Sequence, residues 1–332
     1  MTAGFVSEAA PGERRVAMAP GAIAVLNKTG IGLMMETGAG SAAGFPDHEY
    51  TEKGVRTASR AEVFAAADVL LQVRAPGANP ATGADDLALM RSGQVVIGFG
   101  EPLTAAGAAR ALAARGVSFL AMELMPRITR AQSMDALSSM ATISGYKAAL
   151  IAADTLPRMF PMLMTAAGTV TPAKVLVLGA GVAGLQAIAT ARRLGAVVSG
   201  YDIRDAVKEQ IESLGARFVV LDVAASGAED KGGYAKAMGE DFYRRQREAL
   251  GAVLAEQNVV ITTAAVPGKK APVLVTREMA ARMAPGSVIV DIAAERGGNC
   301  ELTRPGETVD FQGVSILGPL NLPAAIPYHA SQ

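Results

Sequence analysis

The stretch Lys174-Val-Leu-Val-Leu-Gly179-Ala-Gly181-Val-Ala-Gly184-Leu-Gln-Ala decides the fold. Lys174 to Leu178 is a short apolar run suited to a buried strand, and Val182 to Leu194 reads as a helix. Between them lies the turn Gly179-Ala180-Gly181-Val182-Ala183-Gly184, a G-x-G-x-x-G pattern. Such a pattern alone is weak; strand, turn and helix in this order are the dinucleotide-binding arrangement. Its first glycine permits a tight turn, its second lets the backbone approach a pyrophosphate, and its third lets the helix pack close to the sheet. Free N–H groups and the positive dipole end at the helix start favour phosphate. Asp202 ends the next strand, Val197 to Tyr201, where a carboxylate can hold the adenosine ribose hydroxyls. It would repel a 2′-phosphate, which favours NAD over NADP. Arg204, two residues on, can accept such a phosphate; the acid is given precedence because it sits at the strand end itself.

Working outward, the same alternation fills both halves. Strands are expected at Ile31 to Glu36, Val69 to Val73, Gln94 to Phe99 and Val117 to Ala121, with helices at Ala22 to Lys28, Glu62 to Ala67 and Ala105 to Arg115. After the glycine turn, helices are expected at Ala206 to Leu214 and Arg277 to Met283. The later strands are Phe218 to Leu221, Val259 to Thr263, Val288 to Asp291 and Val314 to Leu317. Alternating β and α segments imply α/β architecture: two Rossmann-like, doubly wound parallel-sheet domains. Gln132 to Leu156 reads as a long helix joining them, and Phe160 to Pro172 as a hairpin or loop. The expected domains are residues 1–140, with 319–332 returning to them, and 141–318.

Composition excludes other classes. Lys plus Arg and Asp plus Glu both number 31, so no net charge advertises nucleic acid or an anionic membrane. Cys300 is the single cysteine, which rules out an internal disulfide, and two histidines are too few for a Cys/His zinc cluster. Met1 to Glu13 lacks the basic start and apolar run of a signal peptide. No uninterrupted apolar stretch suits a membrane span, so no direct membrane insertion is expected.

Three segments carry candidate chemistry. Arg127, Arg130, Gln132, Asp135, Ser138 and Ser139 crowd one short stretch; on a helix, Gln132, Asp135 and Ser138 would share a face that suits a carboxamide. The competing reading is a capped, solvated helix start. Asp222 to Gly239, with Tyr234 in its middle, is too long for a compact connection and reads as a lid, a binding loop or a plain surface loop. Ala264-Ala265-Val266-Pro267-Gly268 follows a strand and could line the ligand crevice or be an ordinary turn.

These residues resemble the NAD(H)-binding component, domain I, of proton-translocating nicotinamide nucleotide transhydrogenase, in the superfamily that includes alanine dehydrogenases. The resemblance is carried by Arg127-Ile-Thr-Arg-Ala-Gln-Ser-Met-Asp-Ala-Leu-Ser-Ser, Met164-Thr-Ala-Ala-Gly-Thr-Val, Gly181-Val-Ala-Gly-Leu-Gln-Ala-Ile-Ala-Thr-Ala, Gly232-Gly-Tyr-Ala-Lys-Ala-Met-Gly-Glu and Gly297-Gly-Asn-Cys. It implies NAD(H) in a cleft between the two domains and hydride exchange with NADP(H) on a separate component. A membrane-spanning component would couple this to proton movement. It implies further that Arg127, Asp135 and Ser138 position the nicotinamide carboxamide, with Gln132 near the ribose and the partner nucleotide. Nucleotide contacts are implied at Arg127, Ile128, Thr129, Gln132, Gly179, Gly181, Val182, Ala183, Gly184, Asp202, Ile203, Arg204, Gly233, Tyr234, Gln246, Ala265 and Val266, with no metal. The Tyr234 loop, with Met238, would close over nucleotide, and the Phe160 to Pro172 hairpin would help build a homodimer. The expected location is cytoplasmic, peripheral on the membrane through partner subunits. Family members usually continue past the equivalent of Gln332 with a further helix.

Two alternatives stand beside this reading. An alanine dehydrogenase must move a proton as well as a hydride and needs an acid or base. The positions of that family's lysine and histidine match Arg74 and Glu101 here, and arginine does not shuttle protons near neutrality. A non-catalytic NAD(H)-binding module would need no catalytic group at all.

Overall fold

In the computed structural model, which describes residues 1–221, 240–265 and 268–332, the short apolar runs become two largely parallel sheets. By its internal contacts the chain divides into two units, Met1–Met140 with Pro323–Gln332, and Ala141–Leu322.

The first unit is built on six strands: β1 (Thr2–Phe5), β2 (Gly32–Glu36), β3 (Arg56–Ala58), β4 (Val69–Arg74), β5 (Val95–Phe99) and β6 (Ser118–Ala121). Their order is β3-β2-β1-β4-β5-β6, all parallel. β1 lies at the centre of this sheet and was not expected: Thr-Ala-Gly-Phe has no apolar run, and becomes a strand because β2 and β4 flank it on both sides. The helix Arg60–Ala66 starts from a capping box, Ser59 and Glu62 bonding each other's backbone N–H.

The second unit carries the antiparallel pair β7 (Leu163–Thr165) and β8 (Gly168–Val170), where a hairpin or loop was expected. Its main sheet comprises β9 (Lys174–Leu178), β10 (Val197–Tyr201), β11 (Arg217–Phe218), β12 (Val259–Thr262), β13 (Val288–Asp291), β14 (Thr308–Phe311) and β15 (Val314–Leu317). The order is β11-β10-β9-β12-β13-β15-β14, and only β14 runs antiparallel to its neighbour. Alternate residues of the central strands feed two cores. Val175, Val177, Val259, Ile261, Val288 and Val290 pack with Ala148, Ala149, Ala152, Ile188 and Ala191 on one face. Leu176, Leu178, Val260 and Ile289 pack with Leu250, Leu254 and Met279 on the other. Burial on both faces is why these strands read as continuous apolar runs.

Several boundaries differ from expectation. The long helix is Ala136–Thr155; Thr129–Met134 ahead of it is 3-10, and the division between the units falls inside the helix. The Arg277 helix ends at Ala280, β11 is Arg217–Phe218 rather than Phe218 to Leu221, and the α-helix expected from Ala206 is Lys208–Ser213, preceded by 3-10 turn at Asp205–Val207.

Candidate functional site

In a doubly wound sheet, ligands bind at the carboxyl ends of the strands, where the strand order reverses. In the second unit that point lies between β9 and β12, and the glycine turn is there. Gly179 has φ +96°, and a Cβ on it would stand 2.7 Å from Thr263 Oγ1. A Cβ on Gly184 would lie 1.8 Å from the Gly179 carbonyl oxygen, so only glycine lets the helix Val182–Arg193 start this close to the strand end. Gly181 differs: a Cβ there would meet nothing within 4 Å. Two of the three glycines therefore serve packing, and the third faces open space, as a backbone that receives a phosphate requires. Thr263 ties the two strand ends together, its hydroxyl donating to the Gly179 carbonyl at 3.0 Å. Val182 is exposed and Ala183 half-buried. Gly145, which the sequence did not single out, lets the Ala136–Thr155 helix approach this turn: a Cβ on it would lie 2.0 Å from the Ala183 carbonyl oxygen.

Asp202 follows β10 and is held against the turn, accepting the Ala180 amide at 2.7 Å. Arg204 folds back on it, Nε donating to Oδ1 at 2.9 Å and Nη2 to Oδ2 at 2.8 Å. Ile203 packs into the core that contains Leu176 and Leu178. Gln246 is buried, 1% exposed, and donates through Nε2 to the Tyr201 hydroxyl at 2.9 Å, one residue from Asp202; its Oε1 has no hydrogen-bond partner among the described residues. Ala265 is exposed. Gly233, Tyr234, Met238 and Val266 lie outside the described residues.

Sequence reasoning gave no role to Asn299, although it lies in the Gly297-Gly-Asn-Cys motif, or to Asp291. Asn299 is fully buried and clamps the segment after β12: Nδ2 donates to the carbonyls of Ala264 and Pro272, both at 2.8 Å, and Oδ1 accepts the Ala264 amide at 3.0 Å. Asp291, also fully buried, holds Asn299 in place by accepting its amide at 2.7 Å, together with the Cys300 and Ala293 amides and the Thr262 and Thr303 hydroxyls. The motif Gly297-Gly-Asn-Cys is thus a turn wrapped on a carboxylate. Burial pushes the Cys300 thiol up to about 11, which suits packing rather than nucleophilic chemistry.

The polar cluster lies in the first unit. Asp135 is not inside a helix with Gln132, as the shared-face reading required; it caps the helix that begins at Ala136. Its Oδ1 accepts the Ser138 amide at 3.0 Å and its Oδ2 the Ser138 hydroxyl at 2.6 Å. Arg127 Nε stands 3.9 Å from Oδ2. Burial opposes the charge on Asp135, but both Ser138 donors and the Arg127 guanidinium outweigh it and hold the carboxyl below its usual range. Arg127, Ile128, Thr129 and Gln132 are all exposed. The structure therefore joins Arg127, Asp135 and Ser138 in one cluster and sets Gln132 in the 3-10 turn before it.

The first unit has its own switch point, between β1 and β4. Carboxylates fill it. Glu8 accepts the amides of Val73 at 2.6 Å and Arg74 at 2.9 Å. Glu13, whose side chain is wholly buried, accepts Arg15 Nη2 at 2.7 Å and Arg74 Nε at 3.0 Å. Burial pushes Glu8 up to about 7, against the pull of the two amides. Glu101 takes φ +50°.

Comparison with known proteins places this architecture. Residues 4–144 match the alanine dehydrogenase/PNT N-terminal domain and residues 148–332 the corresponding C-terminal domain. The chain belongs to the alanine dehydrogenase/PNT family. It is 49% identical over 326 residues to the first part of NAD(P) transhydrogenase subunit alpha of Rhodospirillum rubrum, covering 98% of this chain and 85% of that protein. The crystal structure of transhydrogenase from Sinorhizobium meliloti superposes with a TM-score of 0.88 at 45% identity, covering 100% of this chain and 89% of that one. Alanine dehydrogenase of Mycobacterium tuberculosis is 31% identical over 98% of this chain and 82% of its own length.

Proposed function

We propose that this chain is the NAD(H)-binding component of a proton-translocating transhydrogenase. It would transfer hydride directly between its own NAD(H) and NADP(H) held on a partner component, with a membrane-spanning partner coupling the exchange to proton movement. The observation that carries the reading is the glycine turn at the switch point of the second unit, with Gly181 facing open space and Asp202 beside it. NAD(H), when bound, supplies or accepts the hydride through its nicotinamide ring. The Gly181 to Gly184 backbone would hold the pyrophosphate and Asp202 the adenosine ribose. Arg127, Asp135 and Ser138 would orient the carboxamide, and Gln132 would stand near the ribose. The remaining assigned contacts, Ile128, Thr129, Val182, Ala183, Ile203, Gly233, Tyr234, Gln246, Ala265 and Val266, belong to the same proposal; Arg204 stands apart, because its side chain is bonded to Asp202.

Proton logic favours nucleotide-to-nucleotide transfer over amino-acid oxidation. A hydride passed from one ring carbon to another needs no general base. At the position of the alanine dehydrogenase lysine stands Arg74, bound to Glu13, and a guanidinium stays protonated.

The hairpin β7–β8 is proposed to help form a homodimer: Met162, Leu163, Met164 and Val170 are all exposed there. Among the described residues no helix is long and apolar enough to cross a membrane. Attachment to the cytoplasmic face is proposed to run through partner subunits.

The test is to mix the chain with NADH, an oxidised NADP analogue and an intact NADP(H)-binding component, and to follow reduction of the analogue. Exchange that depends on all three is expected; none with a competent partner overturns the reading. Steady NADH formation from alanine and NAD would instead place the chain with its 31%-identical alanine dehydrogenase relative.

A further inference from the structure

Asp202, the residue assigned above to the ribose, already has its carboxylate surrounded by donors. Oδ1 accepts the Arg204 amide at 2.9 Å and Arg204 Nε at 2.9 Å. Oδ2 accepts the Ala180 amide at 2.7 Å and Arg204 Nη2 at 2.8 Å. A carboxylate offers about four lone-pair positions, so these four donors fill it. Two of them are main chain and fixed by the fold: Ala180 within the glycine turn, and Arg204's own amide just past β10. The other two belong to a guanidinium on a flexible stem and can leave. Only 5% of the Asp202 side chain and 12% of the Arg204 side chain are exposed, so this two-pronged pair is far stronger than an ion pair in open solvent.

We propose that the Arg204 side chain is a built-in competitor for the ribose site, occupying the two positions on Asp202 that a 2′,3′-diol would use, and that the Asp202–Arg204 pair thereby sets the choice between NAD(H) and NADP(H). This deepens the nucleotide-binding reading above and rests on it. A ribose diol brings two O–H donors and replaces both guanidinium bonds. A 2′-phosphorylated ribose brings one, plus a charge of about −1.5 to −2 that faces the uncovered carboxylate oxygen. The pair as a whole is neutral, so selectivity comes from matching donors to acceptors rather than from a negative pocket. Arg204 lowers affinity for NAD(H) by what its bonds to Asp202 contribute, and it also softens the repulsion of a 2′-phosphate.

Titration of NADH and NADPH fluorescence against the wild-type chain and three variants tests this. Arg204→Ala leaves two acceptor positions open, and NADH is expected to bind about fivefold to tenfold tighter, with NADPH no tighter than before. Arg204→Lys keeps the charge but loses the fork, and a smaller gain for NADH, about two- to threefold, is expected. Asp202→Asn releases the guanidinium, and the preference for NADH over NADPH is expected to fall about tenfold or more. NADH binding that is unchanged or weaker in both Arg204 variants overturns the proposal, since Arg204 would then build the site rather than block it. If Arg204→Ala does not fold, Arg204→Lys decides alone: no gain for NADH overturns the proposal. An unchanged preference in Asp202→Asn overturns it as well. A wild-type chain that binds neither nucleotide removes the underlying reading too, whereas a wild-type chain that binds NADH beside Arg204 variants that bind no tighter removes this proposal only.

Discussion

The two units share one order over six parallel strands, the second adding the antiparallel edge β14, yet they fill their switch points in opposite ways. In the second, glycines pack the turn tightly after β9 and leave Gly181 facing open space. In the first, the equivalent space between β1 and β4 is closed by Glu8, Glu13, Arg15 and Arg74. Topology supplies a crevice twice; the residues that follow the first strand decide whether it receives a ligand's phosphates or its own ion pairs. The same fold thus hosts a candidate nucleotide site and a buried electrostatic knot.

The contrast breaks most sharply at Glu13. Glu13→Gln strips the charge opposing Arg15, whose side chain is 5% exposed, and should lower the unfolding free energy by about 3–5 kcal/mol in urea titrations. A loss under about 1 kcal/mol would mean the knot is not what holds the first switch point together. Gly184→Ala should come next, at about 1–3 kcal/mol, because its Cβ must push the Gly179 carbonyl aside. NADH binding should be lost with it. Gly181→Ala enters open space at a φ of −74° that alanine adopts, so its cost is limited to a poorer helix N-cap, about 0.5–1 kcal/mol. Equal effects for the two glycines, read by thermal melting, would erase the distinction drawn between them.

A pH effect should separate the units further. Glu8 has its folded value pushed up to about 7 from 4.5, so the native state binds the extra proton between those values. Its contribution to stability is complete below about pH 4.5 and is lost as pH rises through about 7. Both amide bonds survive protonation, since each oxygen keeps a lone pair. Solvent screening at this half-buried side chain leaves about 1–2 kcal/mol of the effect. Glu8→Gln should flatten the slope; a variant that keeps it would assign the proton elsewhere. A further modest effect belongs to Asp135. Asp135→Ala removes a helix cap and should lower stability by about 1 kcal/mol. A hydride-exchange rate that falls far more than this would point to a part in binding as well as capping.

Much of the second unit was legible because its central strands are buried on both faces and its turns are marked by glycine. β9, β10, β13 and β15 sit where their apolar runs do. β1 and β14 were not legible. The first is Thr-Ala-Gly-Phe, a strand by virtue of its neighbours, and the second is a part-exposed edge. At the site, the glycine turn and Asp202 could be read locally. The Arg204 pairing could not, because it depends on how the backbone bends after β10. Nor could the Asn299 clamp, whose partners at Ala264 and Pro272 lie 35 and 27 residues away in the chain. The expected Gln132–Asp135–Ser138 face failed because Asp135 ends a 3-10 turn and starts a new helix, which breaks the 3.6-residue phase.

Feeding two cores from alternate residues of the same strands also limits how this chain can be re-engineered. One residue inserted within β9, β12 or β13 would exchange every later side chain of that strand between the two cores, Val for Leu and Ile for Val. Length changes are tolerable only in the connections, and at the strands' carboxyl ends those connections carry the candidate chemistry. New specificities are therefore to be sought by varying loops, with the strands left alone.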